Sequence, residues 1–183
     1  MPHHLLRAVL FLVTALLAAY PTCAAGSENS HTATNPAASI EMGDCMATAD
    51  LSAKEACFAS LPPDAIVECE ALHLYRCAPY REMHLAGSAM KDAVDRLTAA
   101  SRSAYSGYLE SDPSYVDDLA ANIIEADQAW QAWRDAECAM APYLDGMSRR
   151  EADDLAEACR AERTRQRISW IHAHTAQLEA RSE

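Results

Sequence analysis

The chain has 183 residues, and its 27 acidic and 15 basic side chains give a formal net charge of −12. This length suits one domain. The acidic balance argues against nucleic-acid binding, which requires a basic patch. Five glycines, none of them in a Gly-rich loop, argue against a phosphate-binding loop. An acidic surface would instead attract a cationic partner and speed its encounter.

Residues 1–25 are typical of a secretory signal peptide. Basic side chains precede an apolar run, Ala8 to Ala19, which is too short to remain as a membrane-spanning helix, and small residues follow at 23–25. We predict cleavage after Ala25 and a periplasmic or secreted protein with no integral membrane segment. Cleavage of the signal peptide would remove one arginine and leave the remaining chain with a net charge of −13. Lipid anchoring at Cys23 is the less favoured alternative, because residues 20–22 form a poor lipobox.

Six of the seven cysteines follow the signal peptide, and an even number in a small exported chain predicts three disulfide bonds. A metal site is the competing interpretation, since Cys69, His73 and Cys77 are each one helical turn apart. No CxxC pair accompanies them, so we predict neither a metal nor a cofactor. The predicted disulfide cysteines are Cys45, Cys57, Cys69, Cys77, Cys138 and Cys159.

The pairing of the first four cysteines stays open. Cys69 and Cys77 in one straight helix would be separated by about 12 Å, whereas a disulfide needs Cα atoms within about 7 Å. They could pair only if the helix breaks between them. Nested pairing, Cys57 with Cys69 and Cys45 with Cys77, avoids this difficulty, and pairing of Cys45 with Cys57 is the rival.

The chain beyond the signal peptide divides into a disordered linker at residues 26–40, which is polar and lacks hydrophobic periodicity, and a helical domain at residues 41–183. Apolar residues recur there at helical spacing, and no stretch alternates long enough to form a strand. We therefore predict an all-α fold, a small disulfide-stapled bundle of about four to five helices. The expected helices are a short one opened by a Ser52–Glu55 capping box, Ala65 to about Cys77 with Pro79 as its stop, about Met83 to Leu109, about Tyr115 to Ala141, and one from a Ser148–Glu151 capping box to about Ala180.

The helix at about 115–141 carries the most distinctive segment. Trp130, Arg134 and Cys138 follow one another at four-residue intervals and share one face, so the guanidinium can stack on a tryptophan ring. A partly buried arginine also needs an acceptor, and Asp135 or Glu162 could serve. The buried side is expected to comprise Leu119, Ile123, Ala126, Trp130, Trp133 and Cys138. A structural role is favoured for this segment, with a binding face as the alternative.

A bridge between Cys138 and Cys159 would staple the last two helices beside their connection. It would close a loop of about 20 residues, which the chain-entropy model values at roughly 3 kcal/mol. Farther along the last helix, Arg160, Arg163 and Arg167 share one face. We expect them to pair with acids on neighbouring helices.

The run Trp130-x-x-Trp133-Arg134-Asp135-x-Glu137-Cys138, followed by Cys159-x4-Thr164-x2-Arg167, resembles the core of the lysozyme inhibitor LprI-like N-terminal family of exported bacterial proteins. That family typically shows Trp-x-x-(Tyr or similar)-Arg-Asp-x-Glu-Cys and then Cys-x4-Thr-x2-Arg. Cys45-x11-Cys57, with Glu55 between, also looks like the family's N-terminal cysteine pair. Residues 69–84 look like an insertion or a second variant of the N-terminal pair, and the chain has no good lipobox, whereas the namesake is a lipoprotein. The resemblance implies a small disulfide-bonded helical domain and, for the namesake, inhibition of lysozyme.

Acidic side chains are concentrated between Glu110 and Glu137, where eight acids accompany one base, Arg134. Such a surface is what a competitor for a cationic muramidase would need, although a solvated helix face is the simpler interpretation. The candidate binding face consists of Asp117, Asp118, Glu125 and Asp127.

No catalytic constellation stands out, and we predict that the protein is not an enzyme. The leading hypothesis is an exported binding protein that contacts lysozyme or another peptidoglycan hydrolase. The alternatives are an envelope structural or accessory protein and an immunity protein against a cell-wall-degrading toxin. A small hydrolase is the weakest alternative, because paired carboxylates are poor evidence in so acidic a chain.

Overall fold

The structure, a computed structural model, describes residues 36–181 and the side chains of residues 42–181. The predicted signal peptide and residues 26–35 of the predicted linker lie outside this range. The described part contains no strand and six α-helices, which confirms the all-α bundle. They are α1 Pro36–Ala47, α2 Leu51–Ser60, α3 Pro63–Leu72, α4 Ala78–Ala104, α5 Tyr115–Leu144 and α6 Arg149–Glu179, with a short 3-10 helix at Ser106–Glu110. Helix α1 begins inside the segment assigned to the linker.

The three long helices form the body of the bundle. Helix α6 packs along α4 and α5, and α2 packs across the start of α4. The core between the long helices contains Met90, Ala93 and Val94 of α4 and Ile171 of α6. The α4 residues recur at the three-four spacing from which the helix was predicted. No helix in the described range is long and apolar enough to cross a membrane.

A second core lies at the N-terminal end of the domain, between α1, α2, α3 and the start of α4. Phe58 and Tyr80 are fully enclosed there, and their rings stack at a centroid distance of 5.5 Å. Leu61 and Ile66 pack around them together with three buried disulfide cysteines. Disulfide bonds thus support a part of the fold where the helices are only ten to twelve residues long.

The three disulfides join Cys45 to Cys57, Cys69 to Cys77 and Cys138 to Cys159, with Cα–Cα distances of 5.4, 6.2 and 5.5 Å. The six predicted cysteines are therefore all paired. The nested pairing is wrong, because α3 ends at Leu72 and not at Cys77. The chain then turns, and Tyr75 adopts a φ of 64°, which brings Cys77 back beside Cys69.

Glu70 explains why one helix ends and the next begins here. Its carboxylate accepts hydrogen bonds from the backbone N–H groups of Tyr75, Cys77 and Ala78, each at 2.7 Å. The last two lie at the beginning of α4, so the Glu70 side chain caps α4 from outside the helix. Pro79 accordingly lies in the first turn of α4, where proline is well tolerated. Its interpretation as the stop of the preceding helix was wrong.

The capping box predicted at Ser52 and Glu55 is also wrong. Helix α2 is capped by Asp50, whose carboxylate accepts from the N–H of Ala53 at 2.8 Å. Glu55 faces inward instead and is buried. It therefore belongs to the polar cluster described below.

Candidate functional site

The Cys138–Cys159 bridge holds α5 against α6 and brings the two halves of the distinctive sequence motif together. Arg134 is buried, and its Nη1 donates to the hydroxyl of Thr164 at 2.9 Å. Its Nε donates to Asp135 at 2.8 Å. The Thr164 hydroxyl in turn donates to the Arg160 carbonyl at 2.7 Å. Asp135, one of the two expected acceptors, therefore serves Arg134, whereas Glu162 pairs with Arg165 on the surface.

Arg160 extends this cluster across three helices. Its Nη1 donates to Glu157 of α6 at 2.6 Å and to Glu55 of α2 at 3.0 Å. Its Nε donates to Asp135 of α5 at 2.9 Å. Although burial opposes the charged form, Glu157 and Asp135 raise the pKa of the Arg160 guanidinium above its usual value, so it stays charged. One arginine thus ties α2, α5 and α6 together by charge-assisted hydrogen bonds.

Glu157 is the most strongly perturbed acid of the cluster. Burial raises the pKa of its carboxyl group to about 7, the charge of Glu55 adds to the effect, and Arg160 opposes it. One carboxylate oxygen receives the Arg160 hydrogen bond, and the other is buried without a hydrogen-bond partner. The sequence motif did not include Glu157 or Arg160, and sequence spacing gives no sign that Glu55 meets them.

Tryptophan and arginine side chains alternate farther along the α5–α6 interface. The guanidinium carbons of Arg134 and Arg167 lie 5.4 and 5.6 Å from the Trp130 ring centroid. Arg167 also lies 4.3 Å from the Trp170 ring. The predicted stacking of Arg134 on a tryptophan is therefore confirmed, and at these distances each contact is a cation–π interaction.

The expectation for the three arginines of α6 is confirmed for two of them. Arg160 pairs with the acids named above, and Arg163 pairs with Glu137 of α5 at 3.2 Å. Arg167 has no ion pair within the described part of the chain, and its Nε is buried without a hydrogen-bond partner. Its charge is instead accommodated by the faces of the two tryptophans.

A second polar contact, between Tyr80 and Asp154, joins the N-terminal core to α6, and sequence reasoning missed it. The Tyr80 hydroxyl donates to Asp154 at 2.7 Å, and the guanidinium of Arg76 lies 3.4 Å from the same carboxylate. Burial, followed by the hydrogen bond to Asp154, raises the pKa of the Tyr80 hydroxyl above its usual value. The hydroxyl therefore remains a donor at physiological pH.

The four acids of the candidate binding face do not lie on one surface of α5. Asp117, Asp118 and Glu125 are exposed, and Asp117 pairs with Arg102 of α4 at 2.9 Å. Asp127 is half-buried on the bundle side, where it accepts a hydrogen bond from Gln131 at 2.7 Å. Of the four acids, Asp118 and Glu125 are therefore the two that are exposed and form no ion pair with the described residues.

Trp133 was expected on the buried side of α5, but it lies on the exposed side. Its side chain is 53% exposed, because it is rotated by about 100° from Arg134, its buried neighbour in the chain. Ala126, also expected to be buried, is exposed as well. These residues belong to an exposed apolar row along α5, which we call the outer stripe. It consists of Ala126, Ala129, Trp133, Ala136, Met140 and Tyr143.

The fold and the site define a small disulfide-stapled helical domain whose last two long helices carry one continuous polar and aromatic cluster. Residues 72–171 match the family model described as Lysozyme inhibitor LprI. The match covers more than half of the chain, and the chain belongs to this family. The family description names an inhibitor and not an enzyme. No curated protein and no solved structure matches the chain.

Proposed function

We propose that this protein is an exported inhibitor that binds a lysozyme or a related peptidoglycan hydrolase by protein–protein contact. Membership of the lysozyme inhibitor LprI family is the observation that carries the proposal, because the matched residues 72–171 contain all of α4 and α5 and most of α6. Export is supported by three disulfide bonds, which persist in oxidising compartments. The signal-peptide pattern of residues 1–25 also supports export.

The rigidity of the α5–α6 pair supports a binding role. A disulfide bond and the buried hydrogen bond from Arg134 to Thr164 fix the two helices relative to each other. A surface presented by such a pair loses little conformational freedom when a partner binds, and more of the contact energy then appears as affinity. The same residues also fit the structural role that was favoured from sequence.

The charge of the protein supports a cationic target. Opposite net charges steer two proteins together and raise the association rate, and salt weakens this effect. A net charge of −12 therefore favours the encounter with a basic hydrolase over one with an acidic protein.

A turbidity assay tests the proposal. The oxidised protein without residues 1–25 is titrated into a basic c-type lysozyme acting on peptidoglycan-containing cell walls, at low and at physiological salt. We expect saturable inhibition that weakens as salt is added. Unchanged hydrolysis at a large molar excess of the protein, at both salt concentrations, would refute the proposal. The protein alone serves as the control for hydrolysis of its own.

A further inference from the structure

The outer stripe of α5 is an exposed apolar surface on one of the two helices that carry the motif. Trp133, Met140 and Tyr143 each expose about half of their surface, and alanines separate them. We propose that the outer stripe is the surface on which a basic protein docks, with Trp133 as its anchor. The inference rests on the proposed function, and the basic protein is then the hydrolase.

The stripe has the geometry of a binding face. Its members are spaced by three and four residues from Ala126 to Tyr143, so they form one straight row along the helix. Ala129 and Ala136, about one turn before and after Trp133, have small side chains, so the Trp133 ring has no bulky neighbour along the row. The ring can therefore pack against a partner's surface. Tryptophan at the centre of an interface is among the residues that contribute most to affinity.

The backbone beneath Trp133 is held in place before any partner arrives. Its neighbour Arg134 is buried and bonded to Thr164 and Asp135, and the Cys138 bridge lies little more than one turn away. The anchor therefore sits on a fixed helix with only its own side-chain torsions to order. Sequence analysis predicts this tryptophan in the core, whereas 53% of its surface is exposed.

Charge decides which kind of partner fits. Arg134 is the only basic residue in α5, and it is buried, so the helix presents no cation to solvent. Glu125 is exposed one turn before Ala129 of the stripe, and Asp118 is exposed about two turns before the stripe begins. The arginines of α6 that face α5 are already engaged, Arg160 with Asp135, Arg163 with Glu137 and Arg167 with the Trp130 ring. Two copies meeting along this face would place like charges together, whereas a basic partner would complement them.

The test compares Trp133→Ala with Leu85→Ala. Leu85 provides the control, because it is a large apolar side chain of α4, 52% exposed, that lies outside the stripe and the α5–α6 cluster. Binding of the oxidised protein to a basic c-type lysozyme is measured by calorimetry, and inhibition by the turbidity assay. We expect Trp133→Ala to weaken both by about 30-fold or more and Leu85→Ala to change them by less than about threefold. A thermal melt of each variant confirms that it is folded.

A double variant tests the charge argument. Asp118→Asn combined with Glu125→Gln should slow association at low salt, and the difference from the wild type should shrink at high salt. Neither side chain makes an ion pair that the substitution would break.

The outcomes separate this inference from the proposed function. If the wild type binds and Trp133→Ala binds equally well, the docking surface is wrong and the inhibitor function stands. If the wild type does not bind the lysozyme, both are overturned. A dimer of the wild type in light scattering that Trp133→Ala dissociates would assign the stripe to self-association and overturn the basic partner.

Discussion

Glu157 should make the protein lose stability as the pH rises towards neutrality, and Glu157→Gln should remove that loss. The residue is only 1% exposed, and one of its carboxylate oxygens is buried without a hydrogen-bond partner. Its other oxygen accepts from Arg160, which also binds Glu55. A neutral carboxyl group suits this position better than a second carboxylate, because one guanidinium already serves Glu55 and Asp135 as well.

The sign and size follow from the pKa values. The pKa of Glu157 is about 7 in the folded protein, against 4.5 for an ordinary glutamate. Between these values the folded state binds more protons than the unfolded state, so the free energy of unfolding falls as the pH rises, and above about pH 7 it levels off. At about 1.4 kcal/mol for each pH unit, the interval corresponds to about 3 kcal/mol.

The measurement is urea unfolding of the oxidised protein between about pH 4.5 and pH 8. In Glu157→Gln the amide can accept from Arg160 and donate to Glu55, as the protonated acid would. We expect the variant to match the wild type near pH 4.5 and to exceed its stability near pH 8. Subtracting the two profiles removes the contributions of groups that do not interact with Glu157. Glu162→Gln, on the surface beside Arg165, should leave the wild-type profile above pH 5 unchanged. Parallel profiles for the wild type and Glu157→Gln would refute the reasoning.

Three further predictions concern the framework. Arg134→Met should lower the free energy of unfolding by about 1–3 kcal/mol, because it removes the buried hydrogen bonds to Thr164 and Asp135; urea unfolding measures the loss, and an unchanged midpoint would contradict it. Replacing Cys138 and Cys159 together by serine should cost roughly 3 kcal/mol by the same assay, since it opens the loop between α5 and α6. Glu70→Ala should leave three backbone N–H groups without their acceptor, and faster amide hydrogen exchange at the start of α4 would reveal this.

The long helices were predictable because the signals for them are local. The three-four spacing of Met90, Ala93, Val94 and Leu97 arises from a helix with one buried side, and it holds wherever such a helix packs. The break at residues 111–114 was equally predictable from the sequence, because Asp-Pro favours a helix start. The contact of Arg134 with a tryptophan ring followed from the spacing of four residues alone.

The remaining features depend on residues distant in sequence. The sequence around Glu70 does not indicate that its carboxylate will cap the next helix. Sequence analysis therefore missed the break that permits the Cys69–Cys77 bridge. Trp133 was assigned to the core because tryptophan is usually well buried. Its exposure follows from the direction in which α4 and α6 approach α5, which periodicity does not specify when both sides of a helix carry apolar residues.

Several contacts join the segment that matches the family model to residues before it. Cys77 lies within residues 72–171, but its disulfide partner Cys69 lies before them. Tyr80 and Arg160 are also inside the matched range, whereas the ring that stacks on Tyr80 belongs to Phe58 and one carboxylate bound by Arg160 belongs to Glu55. Helix α2, held by the Cys45–Cys57 bridge, therefore completes both the core and the charge balance of the matched helices. The N-terminal cysteine pair thus holds the helix that supplies one of the three carboxylates bound by the central arginine of the α5–α6 cluster.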